Sequence, residues 1–206
     1  RRRLVGVLGA STALTDHLVA HPEHWRAAAD AQPLEPAART ERMISAVRAP
    51  GDLEPQDALR VEYRRQLVEI AALDVTAEDP VATLPETAAA LADLAGAALE
   101  AALVIAQDEL GEEAATTRLA VIGMGKCGGR ELNYISDVDV IFAAEAAEGH
   151  DEETALAAAT KLATRVMSVC GAHTGHGTLW EVDAALRPEG KQGQLVRTVA
   201  SHRTYY

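Results

Sequence analysis

Residues 119–145 read LAVIGMGKCGGRELNYISDVDVIFAAE. An apolar run leads into Gly123-x-Gly125-x-x-Gly128, and a second apolar run opens with Asp137-x-Asp139. The glycines alone spell a dinucleotide fingerprint. That unit needs a full crossover helix after the glycines and an acid at the end of the next strand, about 20 positions on. Here nine residues separate Gly128 from Val138, and the acids stand at the head of the second run. The dinucleotide assignment fails on both counts.

Side chains alternate across a strand, so Asp137, Asp139 and Ile141 are expected on one face and Val138, Val140 and Phe142 on the buried one. Two carboxylates facing the same way repel each other unless a cation lies between them, and oxygen ligands so placed suit Mg²⁺. Gly128 and Gly129 are expected to open a helix of about two turns over 129–136, with Leu132 and Ile135 facing inward. Their N–H groups, with no Cβ in the way, would form an anion site. A phosphate cradle beside paired carboxylates is the apparatus of nucleotidyl transfer. Downstream, TLWEVDAALRP (178–188) alternates again: Trp180, Val182, Ala184 and Leu186 form an apolar face, with Glu181, Asp183 and Arg187 opposite. Asp183 is the candidate third metal ligand. Lys126 and Ser136 flank the glycines and the Asp pair as candidate phosphate contacts.

Away from this stretch the periodicity is helical. Residues 1–117 read as helix almost throughout, broken by Pro-containing loops at 31–36 and 49–55. Ser11 is placed to cap a helix carrying Leu14 and Leu18. Leu59, Tyr63, Leu67 and Ile70 make one stripe, and Leu91, Leu94, Ala98, Ala102 and Ile105 another. Thr83-x-x-Glu86 has the form of a capping box, and Gly111 closes the helix that follows. Residues 118–206 change period. LAVIG predicts a short buried strand, DVDVIFAA a second, TLWEVDAALR a third and GQLVRTV a fourth, with an amphipathic helix over 151–171. The expectation is an α+β chain: a helical segment, 1–117, followed by a small mixed-sheet core, 118–206.

Composition bounds what such a chain does. Apolar residues make up 48% and aromatic residues 3% of 206, so Ala, Leu and Val must fill the core. A formal charge of −12 disfavours a nucleic-acid backbone as partner. No run of about 18 apolar residues stands out, so no membrane span is expected. Two cysteines give no disulfide framework and point to a reducing cytoplasm. Cys170-x-x-His173-x-x-His176 lacks a fourth ligand for a structural zinc site and reads as an incidental loop. Cys127 reads as a packed thiol, and the EYRR run at 62–65 as a solvated helix face. The chain opens without Met and stops on HRTYY, and both ends look like cuts through a longer protein. Further C-terminal helices are expected to complete a substrate groove.

Gly-Gly, a short helix, then Asp-x-Asp on a strand resembles the polymerase-β-type nucleotidyltransferase superfamily. The longer strings GMGKCGGRELNYISDVDVIF (123–142) and WEVDAALRPEGKQGQLVRT (180–198), with the terminal Tyr205-Tyr206, resemble the bifunctional glutamine synthetase adenylyltransferase/adenylyl-removing family, and within it the N-terminal, adenylyl-removing half. The likeness is strong over 118–206 and weaker over the helices. It implies Asp137, Asp139 and Asp183 as catalytic carboxylates holding Mg²⁺, as two ions. It also implies glutamine synthetase as protein substrate, nucleotide and inorganic phosphate as reactants, and a PII-type signalling protein as a further partner. The implied reaction is phosphorolytic removal of AMP from adenylylated glutamine synthetase, giving ADP. The Gly128–Gly129 amides, Lys126, Arg187 and Ser136 would hold the anions, unless Arg187 pairs with Glu181 or Glu189. The adenylylating direction and a non-catalytic regulatory module are the alternatives, and three converging carboxylates argue against the second.

Overall fold

The computed structural model describes residues 1–206 in full. The helical segment runs α1 (Arg2–Ala10), α2 (Thr12–Ala20), a 3₁₀ turn (Pro22–His24), α3 (Trp25–Ala29), α4 (Pro36–Arg48), α5 (Pro55–Asp74) and α6 (Leu84–Leu110). A 3₁₀ stretch (Gly111–Thr116) leads to β1 (Thr117–Gly123), the single turn α7 (Gly125–Gly128), β2 (Val138–Ala146), α8 (Glu152–Gly171), β3 (Val182–Asp183), β4 (Val196–Thr198) and α9 (Val199–Tyr205). The fold class is α+β, as the sequence suggests.

Several boundaries follow local chemistry. Pro36 and Pro55 occupy the first turn of α4 and α5, where a missing N–H costs nothing. The Ser11 hydroxyl accepts from Leu14 N–H at 3.3 Å, and the Asp151 carboxylate caps α8 by accepting from Thr154 N–H at 2.9 Å. The capping box at α6 does not form. Thr83 has helical φ/ψ, which turns its hydroxyl away from the helix start, and it donates to the Asp79 carbonyl instead. Asp79 takes over by accepting from Val81 and Ala82 N–H.

The sheet is built on β2. β1 runs antiparallel along one edge, from the Thr117–Ala146 pair to Gly123–Val140. Both β3 and β4 run parallel to β2 along its other edge, β3 at the head (Val138–Val182, Asp139–Asp183) and β4 beyond it (Phe142–Val196). β1 is therefore an edge strand, half exposed rather than buried, with Ile122 42% accessible. The third strand is also shorter than its alternation predicts. After Asp183 the chain turns, because the Asp183 carboxylate accepts from Ala185 N–H at 2.7 Å, and Leu186 is left exposed.

One core of 30 buried residues joins α4, α5 and α6 to β2–β4 and α8. α6 lies at its centre and packs through Ala92, Ala95, Ala98, Ala101, Ala102 and Ala106, whose small side chains admit α4, α5 and α8. By length and composition alone, the stretch Leu84–Thr116 is apolar enough to cross a membrane, which the sequence reading did not anticipate; 56% of its most apolar window is buried inside the fold. A second cluster, including Val7, Leu14, Leu18 and Ala28, packs α1–α3 against the Val68–Ala72 face of α5.

Buried polar groups tie these layers. Arg60 on α5 is fully buried and forms no ion pair, with the Asp57 carboxylate acting on it from beyond contact distance. Its guanidinium donates to the carbonyls of Gly177 (2.9 Å), Gln56 (2.6 Å), Val169 (2.7 Å) and Ala172 (2.5 Å). It thereby satisfies the carbonyl end of α8, which no helix turn can do. The EYRR run is not a solvated face. Glu62 and Arg65 pair at 2.6 Å and Arg65 reaches Glu69 at 2.9 Å, all half-buried, and the fully buried Gln66 donates to Glu62.

Replacing Arg60 with Met should strand the Val169 and Ala172 carbonyls at the end of α8 and lower the unfolding free energy by about 3 kcal/mol or more, read as a drop in urea midpoint. Arg60→Lys should not restore it, since an ammonium cannot reach the same fork of acceptors. His17 gives a second test. Burial, reinforced by His24 and His21, holds its pKa down at about 3. The unfolded ring titrates near 6.5, so its contribution is complete above that pH and is lost as the pH falls from 6.5 toward 3. The urea midpoint should fall between pH 6.5 and 5, and His17→Gln should flatten that slope.

Candidate active site

The β2–β3 register sets the site. Asp139 and Asp183 are partners on adjacent parallel strands, so their side chains emerge side by side on one face. Asp137 lies two residues ahead of Asp139 and joins the same face. The result is a group of carboxylate oxygens all within 4.8 Å of one another, with Asp137 exposed and Asp139 and Asp183 half-buried. The three acids expected to converge do so. The opposite face, Val138, Val140 and Val182, is in the core, which fixes the strands that carry them.

The glycine loop differs from expectation. Gly125, not Gly128, opens the turn, and its φ of +50° favours glycine. A Cβ there would stand 2.5 Å from Asp139 Oδ2. The carboxylate thus rests against bare backbone, while Met124 N–H donates to the Asp139 carbonyl at 2.8 Å. Gly128 and Gly129 close the turn. Their N–H groups donate to the Met124 and Gly125 carbonyls at 2.8 and 2.9 Å, so neither amide is free for a phosphate. Gly128 is needed for another reason: a Cβ would collide with the Gly123 carbonyl. The helix does not continue over 129–136, because Arg130 adopts φ +57° and breaks it. Leu132 is buried as expected, but Ile135 is 91% exposed.

The 130–137 loop is held from the helical segment instead. Arg130 makes two parallel bonds to the Asp93 carboxylate of α6, at 2.6 and 2.9 Å, and the Tyr134 hydroxyl donates to Asp74 of α5 at 2.9 Å. Burial and the Asp74 carboxylate push the Tyr134 hydroxyl pKa upward, which keeps it a donor. These two tethers place Ser136 and Asp137 at the mouth of the carboxylate group, and sequence gave no sign of them because their partners lie 37 and 60 residues away.

Arg187 pairs with neither Glu181 nor Glu189. Its guanidinium donates to the carbonyls of Ala184 (2.7 Å), Gly193 (3.2 Å) and Lys191 (3.3 Å), stapling the loop between β3 and β4. Glu189 pairs with Arg197 at 2.9 Å. Lys126 forms no ion pair and lines a cavity together with Ser136 and Asp137. The Ser136 hydroxyl lies 3.4 Å from Asp137 Oδ1. Cys127 is half-buried beside Gly123, and burial, then Asp139, raises its pKa, so it stays a thiol. Cys170 is wholly buried with its pKa pushed up to about 12.

The sequence has relatives among known proteins. A family model described as glutamate-ammonia ligase adenylyltransferase matches residues 1–206. The chain belongs to that family. It is 52% identical over 206 residues to the bifunctional glutamine synthetase adenylyltransferase/adenylyl-removing enzyme of Streptomyces avermitilis, covering 100% of this chain and 20% of that protein. Relatives with the same name in Streptomyces coelicolor and Cutibacterium acnes are 51% and 45% identical, over 100% and 99% of this chain and 20% and 22% of theirs. The chain therefore spans about a fifth of the length of these family members.

Asp93→Asn and Tyr134→Phe should each loosen the tethered loop. Amide exchange over 130–137 should accelerate about tenfold or more with both changes combined, on the scale of one charged and one neutral hydrogen bond, while amides of β2 and α6 stay protected.

Proposed function

We propose that the chain carries the active site for Mg²⁺-dependent removal of AMP from adenylylated glutamine synthetase. The observation behind this reading is the group of three carboxylates aligned by the β2–β3 register. An octahedral Mg²⁺ with oxygens at about 2.1 Å spans about 4.2 Å between opposite ligands. Oxygens within 4.8 Å of one another reach that span by small side-chain rotations. They also suit a pair of ions about 3.5–4 Å apart. Asp183 Oδ1 is engaged by Ala185 N–H, which orients its other oxygen as the donor. A metal held by these carboxylates would supply charge neutralisation for the attacking and leaving oxygens of an in-line displacement.

The chain's own groups then have distinct tasks. Asp137, Asp139 and Asp183 hold the metal and need not move a proton. Gly125 leaves room for Asp139. Lys126 and the Ser136 hydroxyl, both lining the cavity beside Asp137, hold phosphate oxygens. An oxygen of inorganic phosphate bonds to the adenylyl phosphorus as its bond to the tyrosyl oxygen breaks. The tyrosyl oxygen takes up a proton, leaving ADP and unmodified glutamine synthetase. The strings around Gly128–Asp139 and the Tyr205-Tyr206 pair favour this direction over adenylylation. The same reading makes a PII-type protein a regulatory partner and the cytoplasm the setting, both on the family resemblance.

In the complete protein, Asp137→Asn or Asp139→Asn should cut phosphate-dependent ADP release about 100-fold or more, the scale of losing one group essential to transition-state stabilisation, with circular dichroism unchanged. Transfer of label from ATP onto unmodified glutamine synthetase should persist. Loss of that transfer with ADP release intact would assign the chain to the opposite direction, and AMP release without phosphate would make the reaction a hydrolysis.

A further inference from the structure

A cavity of about 620 Å³ opens beside Asp137, between helix α5 and the tethered loop. That volume falls within the range of small-molecule sites, about 300–1,000 Å³. Its lining divides by chemistry. Tyr134, Trp180 and Leu67 supply aromatic and aliphatic surface, Arg64 and Lys126 supply cations, Glu181 adds one carboxylate at the rim, and Asp137 joins it to the carboxylate group. Both rings are fixed before anything binds: the Trp180 indole N–H donates to the Tyr63 hydroxyl at 3.1 Å, and the Tyr134 hydroxyl donates to Asp74. Neither Arg64 nor Lys126 has a carboxylate partner. Arg64 donates only to the Thr178 carbonyl, at 3.3 Å, and lies over Gly177, where any Cβ would strike its guanidinium.

Flat rings held in place, an aliphatic patch and two unpaired cations next to a metal-suited carboxylate are complementary to a nucleotide. Aromatic side chains stack on bases, and unpaired cations draw phosphate. We propose that this cavity takes the purine nucleoside of the adenylyl group. The base lies against Tyr134 and Trp180, the 5′ phosphorus faces Asp137, and Arg64 on α5 is a phosphate-binding residue. The helical segment then forms one wall of the nucleotide site. This inference rests on the nucleotidyl-transfer reading above, but binding tests it separately from turnover.

Photolabelling the complete protein with 8-azidoadenosine 5′-monophosphate and mapping the peptides should place label on the segment bearing Tyr134 or the one bearing Trp180. Excess AMP should suppress that label, and UMP should suppress it less. Leu67→Trp, which fills the cavity, should weaken suppression by AMP about tenfold, the scale of one base–aromatic stack. Should that variant not fold, Arg64→Ala should weaken AMP about fivefold while leaving adenosine, which lacks the phosphate, unchanged. Label found only outside these segments, or undiminished AMP binding in a folded Leu67→Trp protein or in Arg64→Ala, would overturn the assignment. The Asp137→Asn/Asp139→Asn protein should lose turnover and keep the label. Turnover surviving with the label in place would sink the nucleotidyl-transfer reading alone, and lost turnover with the label elsewhere would sink only the nucleoside site.

Discussion

The structure depends on a cation in an unexpected place. Arg60 sits in the core without an ion pair; Asp57 supplies the main attractive charge from beyond contact distance, and four backbone carbonyls accept its hydrogen bonds. Desolvation of a guanidinium is costly, and only a full set of acceptors offsets it. Those acceptors exist only when α5, the end of α8 and the 172–177 loop are together. α8 is the crossover between β2 and β3, so its placement decides whether Val138–Val182 and Asp139–Asp183 fall into register. The carboxylates meet because a helix from the other end of the chain holds the crossover in place.

The legible parts of the fold are those carried by short-range pattern. Leu59, Tyr63 and Ile70 are buried as their spacing indicates, and so are Val138, Val140 and Phe142. Asp137 and Asp139 could be placed on one face by alternation alone, and Asp183 by the phase of a later run. The structure departs from the sequence reading where backbone carbonyls, which periodicity does not show, are the partners. Arg187 looked like a free cation in an alternating strand, yet the strand ends at Asp183 and its guanidinium turns back onto three carbonyls. Gly128 and Gly129 resembled an anion cradle, but one is demanded by the close approach of the Gly123 carbonyl, and the amides of both complete the preceding turn. A glycine pair marks crowded backbone, and sequence does not say what crowds it.

The loop between α7 and β2 shows the same limit from another side. Little local predicts its path: Arg130 and Glu131 N–H bond back onto the α7 turn, and beyond them it has neither helix nor strand pairing up to Ser136. Its path comes from Asp93 and Asp74, two acids on helices that read as ordinary polar positions in an amphipathic pattern. Arg130 and Tyr134 are the reciprocal halves. The helical segment and the sheet unit are thus joined by a shared core, by Arg60, by this pair of tethers and by further polar links such as Trp180 with Tyr63 and Arg165 with Glu109.

The alanines of α6 carry a consequence for how this protein tolerates change. Most cores are sensitive to truncation, since removing a large side chain leaves a void. Here much of the central helix has nothing to truncate: Ala95, Ala98, Ala101 and Ala102 are fully buried in a helix that packs on α4, α5 and α8. The vulnerable direction is growth. A single added methylene at such a position must push α4, α5 or α8 outward. Because α8 also sets the strand register, a slightly overfilled helix would be felt as carboxylates out of alignment. Natural variation along α6 should therefore run among Ala, Gly and Ser before it reaches Val or Leu, and the boundary between those sets marks where helix spacing becomes site geometry.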